Sequence, residues 1–158
     1  MDPAIRTYYN AGLEHQRLLG FPGALELTRT RELLLRHLPP PPARVLDVGG
    51  GTGVHAAWLA DSGYAVHLID PMPLHVEQAE PASAAQPQAP FTAAIGDARK
   101  LAQDDASVDA VLLLGPLYHL TARRDRLAVL GEARRWSGPA GRCSLPPSHS
   151  SPRCWTVC

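Results

Sequence analysis

An aspartate at position 47 followed by glycines at alternate positions 49, 51 and 53 is the arrangement in this sequence best suited to holding a ligand. Glycine lets the backbone turn tightly and lie close against a bound molecule. The acid entering the loop restricts which molecule that is. Pyrophosphate favours a bare glycine loop and helix N-terminus, where additional negative charge is unwelcome. Asp47 therefore suits a nucleotide-like ligand that carries cationic groups and no phosphate. A second acid, Asp70, ends the next apolar run and can accept hydrogen bonds from two ribose hydroxyls, as in nucleotide-binding folds generally. The plainer alternative is a turn acid, because Asp70 precedes Pro71 and Asp-Pro pairs begin turns.

These residues need elements to hold them. The stretch from Val45 to Gly53 reads as a short buried strand, then the acid, then a glycine loop opening a helix, and an apolar run bounded by glycines suits a fully buried parallel strand. Val54 to Asp61 carries Val54, Ala57 and Trp58 at helical spacing. The sum is a strand-loop-helix unit with its ligand at the carboxyl end of the strand. Tyr64 to Ile69 reads as a second strand ending in Asp70, and Phe91 to Ile95 as a third, followed by Gly96-Asp97-Ala98. Ala110 to Leu114 reads as a buried fourth strand, closed by Gly115-Pro116-Leu117-Tyr118-His119-Leu120. Leu74 to Ala79 predicts a short helical patch, and Pro81 to Pro90 an exposed connection. His55 and His67 read as packing or surface residues. Thr121 resembles an N-cap for a helix with Leu127, Leu130 and Ala133 inward and Arg123, Arg124 and Arg126 on its solvated side.

Upstream, Ile5, Tyr8, Tyr9 and Leu13 recur at helical spacing, and a further helix is expected from about Gly23 to Leu38. Leu27, Leu34 and Leu38 share one face of it, and Glu32 and Arg36 form an i,i+4 pair. Pro39 to Pro42 stop that helix and deliver an extended chain into the first strand.

Asp47-x-Gly49-x-Gly51-x-Gly53 resembles the first motif of class I S-adenosylmethionine-dependent methyltransferases. The resemblance implies an α/β fold, a Rossmann-like doubly wound, mostly parallel sheet. Its parts would be an N-terminal helical cap (1–42), a partial S-adenosylmethionine-binding domain (43–136) and an irregular tail (137–158). It also implies S-adenosylmethionine as cofactor, contacted by Asp47, Gly49, Gly51, Gly53, Asp70, Asp97, Ala98 and Leu114. In such proteins the acid in the position of Asp97 meets the adenine amino group, and the backbone amide of the next residue, here Ala98, meets a ring nitrogen. A carboxylate accepting from an exocyclic amine is sensible chemistry. The segment after the fourth strand lies beside the sulfonium in this family, which makes Tyr118 and His119 the catalytic candidates. His119 would contact the acceptor and act as general base, or merely shape the pocket. Tyr8 and Tyr9 would line the pocket or pack a helix on the sheet.

Composition bounds the partners. The formal net charge is zero, from 15 basic and 15 acidic residues, so no overall field draws nucleic acid or an anionic membrane. Met1 to Gly20 has neither the apolar run of a signal peptide nor a transmembrane span, and the expected location is the cytoplasm. Three cysteines, Cys143, Cys154 and Cys158, match no zinc spacing, and their odd number argues against a disulfide framework. No metal is expected.

From Trp136 onward the periodicity fails and a tail of serine, proline and cysteine follows. Regrouping each codon to begin on its predecessor's third base lets Arg135 to Pro147 read Val-Val-Arg-Pro-Gly-Gly-Ala-Leu-Phe-Ala-Ala-Ala-Ile, which resembles the glycine turn and strand the family has there. The expectation is a frameshifted, truncated chain lacking the family's C-terminal strands, with an exposed sheet edge open to self-association. The activity expected is methyl transfer to a small-molecule acceptor by in-line displacement. The alternatives are an inactive cofactor-binding fragment and a NAD-dependent oxidoreductase. Gly51-x-Gly53-x-x-Ala56 with Asp70 would allow the oxidoreductase, whereas Asp47 and Gly96-Asp97 oppose it.

Overall fold

The structure, a computed structural model, describes residues 23–137. The elements in order are α1 (Gly23–His37), β1 (Arg44–Val48), α2 (Val54–Asp61), β2 (Ala65–Asp70), α3 (Pro73–Ala84), β3 (Thr92–Ile95), β4 (Ala110–Leu112), α4 (Pro116–His119) and α5 (Arg123–Ser137). The four strands form one sheet in the order β3-β2-β1-β4, and every pairing is parallel. Parallel neighbours require crossovers, and helices supply them on both faces. This is the Rossmann-like, doubly wound α/β fold that the sequence predicts.

Alternation along the strands divides the core in two. Val45, Val66, Leu68, Ala110 and Leu112 pack with Leu34 of α1, Ala56, Leu59 and Ala60 of α2, and Ala79 of α3. Leu46, Val48, Ile69, Val111 and Leu113 face the other way, onto Val129, Ala133 and Trp136 of α5. Successive strand residues point to opposite faces, so strands buried on both sides read as continuous apolar runs. The chain leaves β1 toward β2 on one side, while β4 pairs with β1 on the other. The point where strand order reverses thus lies at the carboxyl end of β1, where open α/β sheets bind ligands.

Several expectations need correction. Helix α3 runs to Ala84 rather than stopping near Ala79, with Pro81 inside it. Pro81 lies on an exposed face, where the carbonyl its missing N–H leaves free is open to solvent. The end of that helix is tied down by Ser83, whose Oγ donates to the Phe91 carbonyl at 2.6 Å and accepts the Phe91 N–H at 2.9 Å. Pro81 to Ala84 therefore belongs to a packed element. Helix α5 starts later than Thr121: its first-turn amides, Asp125 and Arg126, donate to the carbonyl of Ala122. Its buried face is Val129, Ala133 and Trp136, while Leu127 is exposed. Arg126 is not simply solvated, because its guanidinium donates to the Leu120 and Thr121 carbonyls at 2.7 Å. Trp136, where periodicity fails in the sequence, is fully buried.

Other readings hold in detail. Helix α2 has the expected bounds. Leu34 and Leu38 are buried, Leu27 partly so, and Glu32 pairs with Arg36. The Tyr8–Tyr9 segment, the three cysteines and the altered-frame stretch beyond Ser137 lie outside the described residues.

Candidate functional site

A cleft of about 420 Å³ opens at the carboxyl ends of the strands. That volume is within the usual range for small-molecule and cofactor sites. Of the residues singled out from sequence, Asp47, Gly49, Gly51, Asp70, Asp97, Ala98, Leu114 and His119 line it. Two do not. Gly53 lies beneath the loop as the N-cap of α2, and Tyr118 is 71% exposed.

The loop owes its path to glycine. Gly53 adopts φ +83°, and a Cβ there would come within 2.9 Å of the Phe91 ring. Gly51, at φ +58°, has nothing within 4 Å of where its Cβ would be, so its backbone offers an open cradle on the cleft. Gly50 was not singled out by the alternate-glycine pattern, yet a Cβ there would meet Asp47 Oδ2 at 2.6 Å. The close seating of that carboxylate under the loop therefore requires Gly50.

Asp47 is 1% exposed, and neither of its carboxylate oxygens has a hydrogen-bond partner. Burial, reinforced by the negative charge of Asp70, pushes its pKa up to about 7. Buried polar groups are normally satisfied, and an ionised one alone is costly. Both oxygens are shut off beneath the glycine loop at the base of the cleft, and positive charge brought to the cleft would favour their ionised form.

Asp70 is 4% exposed and held at both oxygens. Its Oδ2 accepts the Gly51 N–H at 3.0 Å, and its Oδ1 accepts the Met72 N–H at 2.9 Å. His75 Nδ1 lies 2.9 Å from the same Oδ1. The loop and the second acid are thus locked to one another.

Asp97 is engaged by Arg99, whose Nε lies 2.9 Å from Oδ1 and whose backbone N–H donates to the same oxygen at 2.9 Å. Those hydrogen bonds hold the Asp97 carboxyl below the usual carboxylate range. Arg99 also approaches Asp125 of α5 at 3.5 Å and itself lines the cleft.

The cleft lining also brings in residues that the sequence reading did not place there. Glu26 of α1 and His55 of α2 both line the cleft. Burial, with the nearby positive charge of Arg31, lowers the His55 pKa to about 4. His67 does pack within the sheet, its Nδ1 2.7 Å from Thr92 Oγ1. No periodicity marks Glu26 or His55. The His75 contact does leave a signal, a histidine in the first helical turn after a strand-end acid. Among the described residues, no three His, Cys, Asp or Glu side chains group to hold a metal ion. Nor, among them, is any helix long and apolar enough to cross a membrane.

Comparison with known proteins agrees with this geometry. A family model described as a methyltransferase domain matches residues 45–141. An uncharacterized methyltransferase of Mycobacterium tuberculosis is 36% identical over 108 residues, covering 68% of this chain and 41% of its own length. Its Mycobacterium bovis counterpart gives the same figures. The chain thus spans 41% of the length of these curated relatives. A Pyrococcus horikoshii protein of solved structure is similar with TM-score 0.75 and 23% identity, over 85% of this chain and 62% of that one. A TehB-like SAM-dependent methyltransferase from Corynebacterium glutamicum matches with TM-score 0.61 and 21% identity, over 89% and 71% of the two chains. These structural likenesses bear on the fold alone.

Proposed function

The chain belongs to the methyltransferase-domain family, and on that premise we propose that it binds S-adenosylmethionine and transfers a methyl group to a small-molecule acceptor. The observation that carries this reading is the buried, unpartnered carboxylate of Asp47 at the strand-order reversal. It supplies the negative charge that a ligand with ammonium and sulfonium groups needs, and it repels a diphosphate. Gly49 and Gly51 let the backbone approach the ligand. The oxygen of Asp70 facing the cleft accepts from a ribose hydroxyl, and Asp97 with the Ala98 amide reads the adenine edge.

When bound, S-adenosylmethionine supplies a methyl carbon on a positively charged sulfur that departs with the electron pair of the broken bond. The residues then have little covalent chemistry to do. Leu114 and the segment after β4 wall the reacting end and exclude water, aligning the acceptor for in-line attack. His119 lines the same cleft and offers an imidazole nitrogen to take the proton that the acceptor nucleophile loses. Tyr118, exposed beside it, contacts the acceptor from the rim. The free edge of β4 among the described residues supports self-association as part of the same reading.

The test is a titration of the purified chain with S-adenosylhomocysteine and with NAD, followed by mass-spectrometric detection of methylated products from a panel of small acceptors. Saturable binding of the adenosyl compound with methylated product supports the reading. Binding without product supports the cofactor-binding fragment instead, and preferential binding of NAD overturns the assignment.

A further inference from the structure

We propose that His75 is a positioning residue that fixes which oxygen of Asp70 faces the ligand, and so sets the affinity of this chain for the ribose hydroxyls. The inference rests on the adenosyl-binding reading above. His75 is 3% exposed and stands in the first turn of α3, with Nδ1 2.9 Å from Asp70 Oδ1. An ionised carboxylate only accepts, so a bond of this length requires Nδ1 to carry the proton and donate. The same oxygen accepts the Met72 N–H at 2.9 Å. Two donors fill the two lone pairs of Oδ1. Oδ2 accepts one donor, the Gly51 N–H at 3.0 Å, and keeps one lone pair. Asp70 lines the cleft, so that remaining lone pair is the one left for a ligand hydroxyl.

The imidazole therefore does more than fill space. With it in place, rotation of the carboxylate about Cβ–Cγ breaks three hydrogen bonds instead of two. Without it, Oδ1 regains a lone pair and the carboxylate is tethered by two backbone amides alone, one on the glycine loop and one at the start of α3. The ligand would then meet a carboxylate with one unfilled lone pair on each oxygen, so neither oxygen is singled out for the hydroxyl. Partners that orient a ligand-binding group commonly matter 10- to 100-fold in metal sites, and a hydrogen bond to a charged group is of comparable weight here.

The experiment measures, by calorimetry on the full chain, the affinity for S-adenosylhomocysteine and for its 2′-deoxy analogue. Wild type is expected to favour the compound with both hydroxyls. In His75→Ala and His75→Phe that preference is expected to shrink by about tenfold. His75→Asn, whose amide nitrogen can reach the place of Nδ1, restores it, and His75→Gln, one methylene longer, does not. A His75→Phe variant that loses thermal stability but keeps the full hydroxyl preference overturns the proposal, because the role is then only structural. Wild type that binds the adenosyl compound with no hydroxyl preference overturns it too, while leaving the cofactor reading intact. Wild type that binds neither compound overturns both. Should the alanine and phenylalanine variants fail to fold, nitrogen-15 spectra of wild type decide: a proton on Nδ1 supports the proposal, and one on Nε2 alone contradicts it.

Discussion

Asp47 and Asp70, on neighbouring strands, hold two carboxyl groups in one buried cluster beneath the glycine loop, and they are treated very differently there. Asp70 receives donors at both oxygens, whereas Asp47 receives none. Burial, and then the charge of Asp70, moves the Asp47 pKa from 3.8 up to about 7. The asymmetry gives the site its character: one acid is anchored, and the other waits for a positive charge.

Stability should register that charge. The folded protein holds the Asp47 proton more tightly than the unfolded chain does, so its stability falls as pH rises from about 4 to about 7. The shift corresponds to roughly 4 kcal/mol when complete. Asp47→Asn is expected to remove this slope, gaining stability over wild type at pH 8 and matching it near pH 4. Thermal denaturation across that range, without ligand, checks it.

Binding should release a proton. A cationic ligand favours the ionised form of Asp47, so at pH 7 the partly protonated population must ionise on association. Affinity for S-adenosylmethionine is expected to rise with pH through about 7. Calorimetry in buffers of different ionisation enthalpy measures the released proton directly.

Two glycines should fail in different ways. Gly53→Ala places a Cβ within 2.9 Å of the Phe91 ring at φ +83°, and is expected to cost about 1–3 kcal/mol of stability. Gly51→Ala meets no neighbour within 4 Å, so its stability loss should stay near 1 kcal/mol. Its new methyl group, however, lies where the backbone borders the cleft, and ligand affinity should fall more than in Gly53→Ala at equal folded fraction. Urea unfolding beside ligand titration separates the two.

Legibility in the sequence follows from how local the cause is. The glycine loop, helix α2 and the acid at the end of β2 depend on neighbours a few residues away, and their types announce them. Pro81 misled because its helix is secured from outside, by Ser83 on the Phe91 backbone. Trp136 ends the periodic sequence, yet it is buried in the cluster that holds Leu46 and Val48 on one face of the sheet. Arg99 on Asp97 is a local pair two residues apart, whereas Glu26 and His55 on the cleft wall come together only after the sheet has formed. No spacing rule within one element could have gathered them.

Trp136→Ala should be among the most destabilising single changes. The side chain is fully buried beneath β1 and β4, and removing a large aromatic group from such a place costs about 3–5 kcal/mol. Arg135 beside it binds the Leu101 and Gln103 carbonyls, so the 101–105 segment should loosen as well. Amide hydrogen exchange in that segment reports the second effect.

Asp97→Asn tests the adenine edge. The variant loses the Arg99 ion pair, an exposed contact of at most about 1 kcal/mol, and should keep its fold. Its preference for an adenosyl ligand over the inosyl analogue, which lacks the exocyclic amine, is expected to fall by about tenfold. Competition binding with the two ligands checks it.

The most direct measurement of the central claim compares wild type with Asp47→Asn for binding of S-adenosylmethionine and NAD. Wild type is expected to bind the sulfonium compound and disfavour NAD, and Asp47→Asn is expected to lose at least tenfold in affinity for the first while its discrimination against the second narrows. Unchanged affinity for S-adenosylmethionine in the folded Asp47→Asn variant would contradict the claim that this buried carboxylate selects the ligand.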